Sequence, residues 1–482
     1  MDRQIRKVAV VLMAMFFILF AKLNDLQVVR ADKLASAPGN TRTITRDFSR
    51  ERGVIQTSDG AIVAQSVPVD DDFERLRTYP EGALFAHIGG YFSFTYGTEG
   101  VERTYNADLA GRSVEFRKLT DVFADRTSTG TVVLTLSKAL QQVARDALGN
   151  RTGAVVALNP TDGAVLAMWS NPSFDPNPLA AHDQKAVQAS WTSLQADAGK
   201  PLLPRAFRRS YAPGSTFKVV TAAAALERRQ DLVVKPYPSL RQLDLPQTNV
   251  DLPNFGGSSC GGTLPDLLRV SCNTGFAQLG LDMGAESLAG EAGDFGFNSK
   301  PPLDLPATAT STFPGVEAFR QDLPALAKSA IGQQDVAATP LQMALVAAGV
   351  ANGGVIMKPH VMAEVRNSEG GLVRSYQSEQ WLKAMEPQNA ATLRDMMITV
   401  VNNGTAGRAA VPGVQVAAKT GTAQTVGNNA HAWLIAFAPA AQPTVAVAVI
   451  VESQPGLGDT VTGGRIAAPI AQAVLKAALG TP

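Results

Sequence analysis

The sequence predicts an α+β protein, an antiparallel sheet with helices on both faces, set behind a smaller N-terminal region and one membrane helix. Three observations predict it. Period-two apolar runs, the mark of strands, gather at the two ends of the stretch from residue 137 onward: 153–158 and 164–169 at one end, 413–418, 431–437 and 445–451 at the other. Helical runs lie between them, so the strands must meet across intervening helices, which suits one sheet covered on both sides. An unbroken apolar run, 8–21, opens the chain behind Arg3, Arg6 and Lys7.

Composition bounds the function. The chain has 482 residues, 45% hydrophobic and 18% charged, enough for two or three domains with a large core. A net charge of +1 gives no reason to expect nucleic acid as a partner. Two cysteines and four histidines are too few, and wrongly spaced, for a metal site, and no phosphate-cradling or dinucleotide motif implies a cofactor.

Taken in order, the apolar run 8–21 is short for a span, which needs about 20 residues. Leu23, Leu26, Val28 and Val29 extend it, and Lys22 can snorkel. A cleaved signal peptide competes with this reading. Ala35-Ser36-Ala37 has the cleavage pattern, but it lies beyond several charges and far from the run. We read residues 1–30 as a cytoplasmic tail and uncleaved signal anchor. Basic residues flank the run on both sides, so charge does not set its orientation.

Residues 31–136 form a second region. Within 47–64, Arg50-Glu51-Arg52-Gly53-Val54-Ile55 leads into the turn Ser58-Asp59-Gly60 and then Ala61-Ile62-Val63-Ala64, a strand, turn and strand. Gly97-Thr98-Glu99-Gly100-Val101-Glu102 follows. The acidic triplet 70–72 reads as a solvated loop. A short strand at 131–136 and a helix near 138–148 lead into the third region, 137–482.

There the runs 153–158 and 164–169 are joined by Pro160-Thr161-Asp162-Gly163, which has hairpin-turn chemistry. Pro213-Gly214 breaks the chain before an alanine-rich buried helix, 219–227. Gly257-Ser258-Ser259-Cys260-Gly261 matches a nucleophile elbow formally, but no strand precedes it, and we read it as a loop. A helical run, 265–270, precedes Ser271. Thr339-Pro340 caps an amphipathic helix over 337–349. The strand 413–418 runs straight into Lys419, and 466–479 is a terminal helix.

Three short motifs carry the chemistry. Ser215-Thr216-Phe217-Lys218 puts a hydroxyl and an amine one helical turn apart, on one face. A serine is a weak nucleophile until a base lies within reach, and a lysine serves once burial or nearby positive charge lowers its pKa. The helix N-terminus favours negative charge developing there. Ser271-Cys272-Asn273 follows at a distance, and Lys419-Thr420-Gly421 stands much further on. Each pattern occurs once, and the last is expected by chance only about 0.1 times in such a chain.

In order and spacing this trio resembles the signature of penicillin-binding proteins and serine β-lactamases. With the anchor and the segments 50–64 and 97–109, which resemble a non-catalytic pedestal module, the chain is most similar to class B penicillin-binding proteins of the actinobacterial penicillin-binding protein A kind. The resemblance implies the penicillin-binding transpeptidase fold, on a membrane-anchored, single-pass protein whose catalytic domain lies outside the cytoplasm. It implies an enzyme, a serine-type D,D-transpeptidase that cross-links peptidoglycan stem peptides and is acylated by β-lactams. Ser215 would be the nucleophile and Lys218 its base. Ser271 and Asn273 would relay a proton and hold substrate, and Lys419 would supply positive charge. Thr420 and Thr422 would bind the substrate carboxylate, Gly421 would let a substrate backbone come close, and the Ser215 and Thr422 N–H groups would form the oxyanion hole. No glycosyltransferase domain fits before residue 137, so glycan polymerisation would fall to a membrane partner enzyme.

Cys272 departs from the family pattern, where serine or aspartate is more usual. Cys260 stands shortly before it in the chain, so the two form a disulfide beside the cleft or remain free thiols. Three other readings compete: a β-lactamase, a β-lactam-binding sensor, and an idle division or elongation scaffold. The Glu-x-x-Leu-Asn loop of class A β-lactamases is absent. No extra spans or signalling domain suggest a sensor, and three intact motifs argue against a scaffold.

Overall fold

The computed structural model describes residues 3–30, 48–111, 129–424, 430–453 and 462–481. Its first element, α1 (Arg3–Asn24), is exposed along its whole length. Its 22 residues give about 33 Å at 1.5 Å per residue, and its apolar window has a mean hydropathy of 2.0. Among the described residues it is the one helix long and apolar enough to cross a membrane. Ala35-Ser36-Ala37 lies outside them.

The strand–turn–strand of the second region is β1 (Ile55–Gln56) and β2 (Ile62–Pro68), antiparallel, followed by β3 (Arg75–Thr78). Asp70, Asp71 and Asp72 are exposed between β2 and β3, as expected of a solvated loop. Then come β4 (Thr131–Leu134), α2 (Lys138–Leu148), β5 (Gly153–Leu158) and β6 (Val165–Asn171). The nucleophile motif leads into α3 (Lys218–Arg228), and α4 (Leu264–Val270) and α5 (Asn273–Met283) flank the second motif. Further on lie α6 (Pro340–Ala351), β7 (Met362–Arg366), β8 (Leu372–Ser375) and α7 (Pro387–Asn403). The chain closes with β9 (Ala417–Gln424), β10 (Ala430–Ala438), β11 (Val445–Val451) and α8 (Ala468–Ala478).

The larger region holds a five-stranded antiparallel sheet in the order β9-β10-β11-β5-β6. Every residue of β11 and of β5 is buried, so both faces of the sheet are covered. Helices α2 and α8 pack on each other and on β6 and β11, and α6 packs against β5, β10 and β11. The expected amphipathic helix is in fact buried on every side from Pro340 to Val350. It lies between the sheet and α7, and both neighbours are apolar, so no polar stripe is needed. Thr339 Oγ1 caps it by accepting from Gln342 N at 3.1 Å, with Pro340 in the first turn.

The second sheet, β8-β7-β4-β1-β2-β3, does not respect a cut at residue 136. Strand β7, from far along the chain, pairs antiparallel with β4, while β4 runs parallel to β1. Other bonds cross the same boundary. Tyr105 Oη donates to Asp304 Oδ2 (2.6 Å), and the Asp304 carboxylate accepts from Val361 N and Met362 N (2.7 and 3.0 Å). At the centre of the first region, buried Glu102 is clamped between Arg52 (2.5 Å) and Arg77 (2.7 Å). Burial opposes its charge, but the two guanidiniums win and hold the carboxyl below its usual range.

His87 also crosses the boundary. It is buried, and its Nε2 donates to Pro201 O at 2.7 Å. Burial pushes its pKa down to about 4 from an ordinary 6.5. The unfolded chain therefore binds the proton first, and the stability His87 provides is full above pH 6.5 and lost as pH falls towards 4. The loss is on the order of 3 kcal/mol over the whole window. Thermal melts of wild type and His87→Asn should diverge in that sense: the wild-type Tm falls more steeply than the variant's as the pH drops through that window.

Candidate active site

The nucleophile motif does not begin in an α-helix. Gly214–Phe217 is a single 3₁₀ turn, and α3 starts at Lys218. Thr216 Oγ1 donates to Pro213 O (2.7 Å), which tightens the turn. Tyr211 exchanges two backbone hydrogen bonds with Ala338, and Trp433 Nε1 donates to Ala212 O (3.0 Å), so both flanks of the approach are held. Ser215 is half-buried at the tip of the turn, at the N-terminal end of the helical segment.

The second motif sits between two helices. Ser271 ends α4 in the left-handed conformation, φ 61° and ψ 43°. For a residue with a side chain this costs roughly 1–2 kcal/mol. Its N–H still bonds back to Leu268 O (3.2 Å), which closes the helix. The turn aims the hydroxyl at two lysines. Lys419 Nζ donates to Ser271 Oγ at 2.8 Å and to Thr420 O at 2.9 Å. Lys218 Nζ donates to Ser271 O (2.8 Å) and Asn273 Oδ1 (2.7 Å), and lies 3.4 Å from Ser271 Oγ.

Both lysines are fully buried. Burial lowers Lys419 to about 7. Burial, with the Lys419 charge added to it, holds Lys218 well below the ordinary ammonium range. A neutral amine has two N–H donors and one lone pair. Ser271 O and Asn273 Oδ1 use the two donors, which leaves the Lys218 lone pair to take a proton. Of the two amines, Lys218 is the one more strongly disfavoured as an ammonium, because the Lys419 charge adds to its own burial.

The third motif lies on β9, whose inner side pairs with β10 (Lys419 opposite Ile435, Thr422 opposite Ala432). Its other side is a sheet edge. Thr420 shares a hydrogen bond with Thr405 (2.6 Å between hydroxyl oxygens). A Cβ at Gly421 would come within 2.9 Å of Thr216 Cγ2 and 3.0 Å of Pro213 O, so the missing side chain admits the turn that carries Ser215. Gly463 backs onto β9 and β10 together, where a Cβ would meet Gly421 O at 2.5 Å and Trp433 O at 2.0 Å.

A cleft of about 1500 Å³ collects these parts. Ser215, Ser271, Asn273, Thr420 and Thr422 line it, while Lys218, Lys419 and Gly421 lie just behind its wall. Gly214 abuts the Thr422 carbonyl, which sets the main chains of the first and third motifs side by side. Residues 251–261 form one rim, and Thr405, Arg408 and Arg465 belong to another. The Cys260 and Cys272 sulfurs are bonded, with Cα atoms 5.7 Å apart. Ser259 stands on an exposed loop with a short strand after it, Cys260–Gly262, not a helix. Among the described residues no His, Cys, Asp or Glu cluster could hold a metal ion. Asn254, Thr405 and Trp433 were not legible as site residues, because nothing local in the sequence distinguishes them.

A serine nucleophile turn, two buried lysines and a free sheet edge around one cleft define a serine acyltransferase site. Comparison with known proteins supplies the family. Residues 153–476 match the penicillin binding protein transpeptidase domain, and residues 52–133 match the penicillin binding protein A dimerisation domain. The chain belongs to the penicillin-binding protein transpeptidase family. It is 41% identical to the peptidoglycan D,D-transpeptidase PbpA of Mycolicibacterium smegmatis, over 99% of each chain. It is 38% identical to PbpA of Mycobacterium tuberculosis, again over 99% of each. The crystal structure of penicillin-binding protein A from M. tuberculosis superposes with a TM-score of 0.83 at 38% identity, covering 90% of this chain and all of that one. The penicillin G acyl-enzyme complex of that protein superposes with a TM-score of 0.82 at 38% identity, covering 89% and 100%.

If Ser271 Oγ is the bridge between the two lysines, its loss must show in the rate of acyl transfer. Ser271→Ala should slow acylation by a penicillin at least about 100-fold, the low end for a proton-transfer group. Stopped-flow acylation rates, compared at equal folded fraction by circular dichroism, check this.

Proposed function

We propose that this protein is a membrane-anchored peptidoglycan D,D-transpeptidase that β-lactams inactivate by acylation. The observation that carries the reading is Ser271 Oγ held between two buried lysines, on the wall of the cleft that Ser215 lines. That arrangement suits acyl transfer through a serine ester and has no evident structural purpose. The names and acyl-enzyme structures of the relatives support it.

Lys218 takes the Ser215 proton as Oγ bonds to the carbonyl carbon between the two D-alanines of a stem peptide. The C–N bond breaks, and the proton passes by way of Ser271 to the departing amine of the terminal D-alanine. An amine from a second stem peptide then attacks the ester, giving its proton back to Ser215 as the cross-link forms. Thr420 and Thr422 hold the terminal carboxylate, drawn by positive charge on Lys419 behind them, and the N–H groups of Ser215 and Thr422 face the oxyanion. A donor there is worth about 3–4 kcal/mol. In a β-lactam the broken C–N bond lies in a ring, so the leaving amine stays tethered and the ester persists.

Substrate of this kind lies outside the cytoplasm, so α1 anchors the protein with its N-terminus inside and the cleft outside. We assign residues 1–30 to the tail and anchor, 31–136 to the pedestal and 137–482 to the catalytic domain. Glycan strands come from a membrane glycosyltransferase partner.

The test uses a fluorescent penicillin and the purified full chain. Wild type should carry a long-lived label and Ser215→Ala none. With a donor and an acceptor peptide, mass spectrometry should find the cross-linked product. Rapid release of hydrolysed drug would indicate a β-lactamase, stable labelling without peptide turnover a sensor, and an unlabelled wild type a scaffold.

A further inference from the structure

The loop before Cys260 reads in sequence as a poor nucleophile elbow, yet in the fold it grips the second motif. Helix α5 begins at Asn273, and the residue before it, Cys272, is tied up in a disulfide and caps nothing. The first-turn N–H groups of α5 therefore need an acceptor from elsewhere. Asn254, 5% exposed, supplies it. Its Oδ1 accepts from Asn273 N (2.9 Å) and Thr274 N (3.0 Å). Its Nδ2 donates to Leu240 O (2.7 Å) and Ser258 O (3.1 Å), which anchors it in its own loop. The neighbouring carbonyl, Pro253 O, accepts from Asn273 Nδ2 at 3.2 Å.

The two contacts have different effects. The bond from Asn254 fixes the Asn273 backbone. The bond to Pro253 fixes the side-chain amide, because a carbonyl accepts only from the NH₂ end. With Nδ2 so engaged, Oδ1 must face Lys218 Nζ, and it does, at 2.7 Å. Turned the other way, the amide would set an N–H against the amine and take an acceptor from Lys218.

We propose that Asn254, which belongs to none of the three motifs, is a positioning residue for acyl transfer, fixing with the Pro253 carbonyl which end of the Asn273 carboxamide faces Lys218. The proposal rests on the reading of Ser215 as nucleophile, and it adds a residue that acts only through Asn273.

The experiment has two readouts on the full chain in detergent. One is backbone amide exchange at Asn273 and Thr274, followed by mass spectrometry. The other is acylation by a slow chromogenic β-lactam, split into a dissociation constant and an acylation rate constant. In wild type both amides should be protected. Asn254→Ala should expose them and slow the acylation rate constant about tenfold, within the range that a small misplacement of a reacting group produces. Its dissociation constant should stay within about twofold, since no substrate contact is removed. Asn254→Asp keeps an oxygen acceptor for both amides but loses the donors to Leu240 O and Ser258 O, so protection and rate should recover part of the way, to between the alanine variant and wild type.

Unprotected amides in wild type would overturn the proposal. So would an Asn254→Ala protein that melts earlier yet acylates at the wild-type rate per folded molecule. Should Asn254→Ala fail to fold, wild-type exchange and the Asn254→Asp rate still decide. A wild type that takes no β-lactam at all counts against the transpeptidase reading, and amide exchange still decides whether Asn254 holds Asn273.

Discussion

Two lysine side chains are buried against one serine hydroxyl, and much of the surrounding structure serves to keep them there. Two full positive charges in such a space repel strongly, and burial alone already disfavours each. The conflict falls on Lys218, where the Lys419 charge adds to burial, while neutral oxygens hold both amines in place. Lys419 meets a hydroxyl and a carbonyl, while Lys218 meets a carbonyl and an amide oxygen. Everything on the second-motif side enforces this: the left-handed turn at Ser271, the bonded cysteines, and the borrowed cap on α5. A serine held in a strained conformation by so many neighbours is expected where geometry matters more than local stability.

The opposite wall is built from a sheet edge. Strand β9 has β10 on one side only, so its outer main-chain groups face the cleft region rather than another strand. The nucleophile turn reaches this edge because Gly421 has no side chain in the way, and Gly463 lets the chain behind come equally close. Three motifs far apart in sequence thus meet through main-chain proximity as well as through side-chain bonds.

The sheet strands were legible because a buried antiparallel strand is short, apolar and rich in β-branched residues, as 445–451 shows. Motif order pointed to the family, and the Thr339-Pro340 cap located a helix. Legibility ended where long-range packing decides. Nothing near 337–349 tells a helix buried on one side from one buried all round. The segment 362–366, Met-Ala-Glu-Val-Arg, has little strand character and owes its place in the sheet to β4 and β8. Asn254 shows this most clearly: its side chain caps a helix that begins beyond the next loop, where Cys272 offers no cap of its own. The closeness of Gly421 to the turn at 213–216 was likewise not legible, since only the folded chain shows what lies beside it.

The sheet of the N-terminal region takes two of its six strands from residues 362–375. The two regions therefore cannot behave as interchangeable cassettes. A chimera that grafts residues 48–136 from a distant relative would inherit part of a ladder whose complement stays behind in the recipient's own catalytic region. Through that shared ribbon, a change that disturbs β4 reaches β7 in the larger region, and the reverse holds as well.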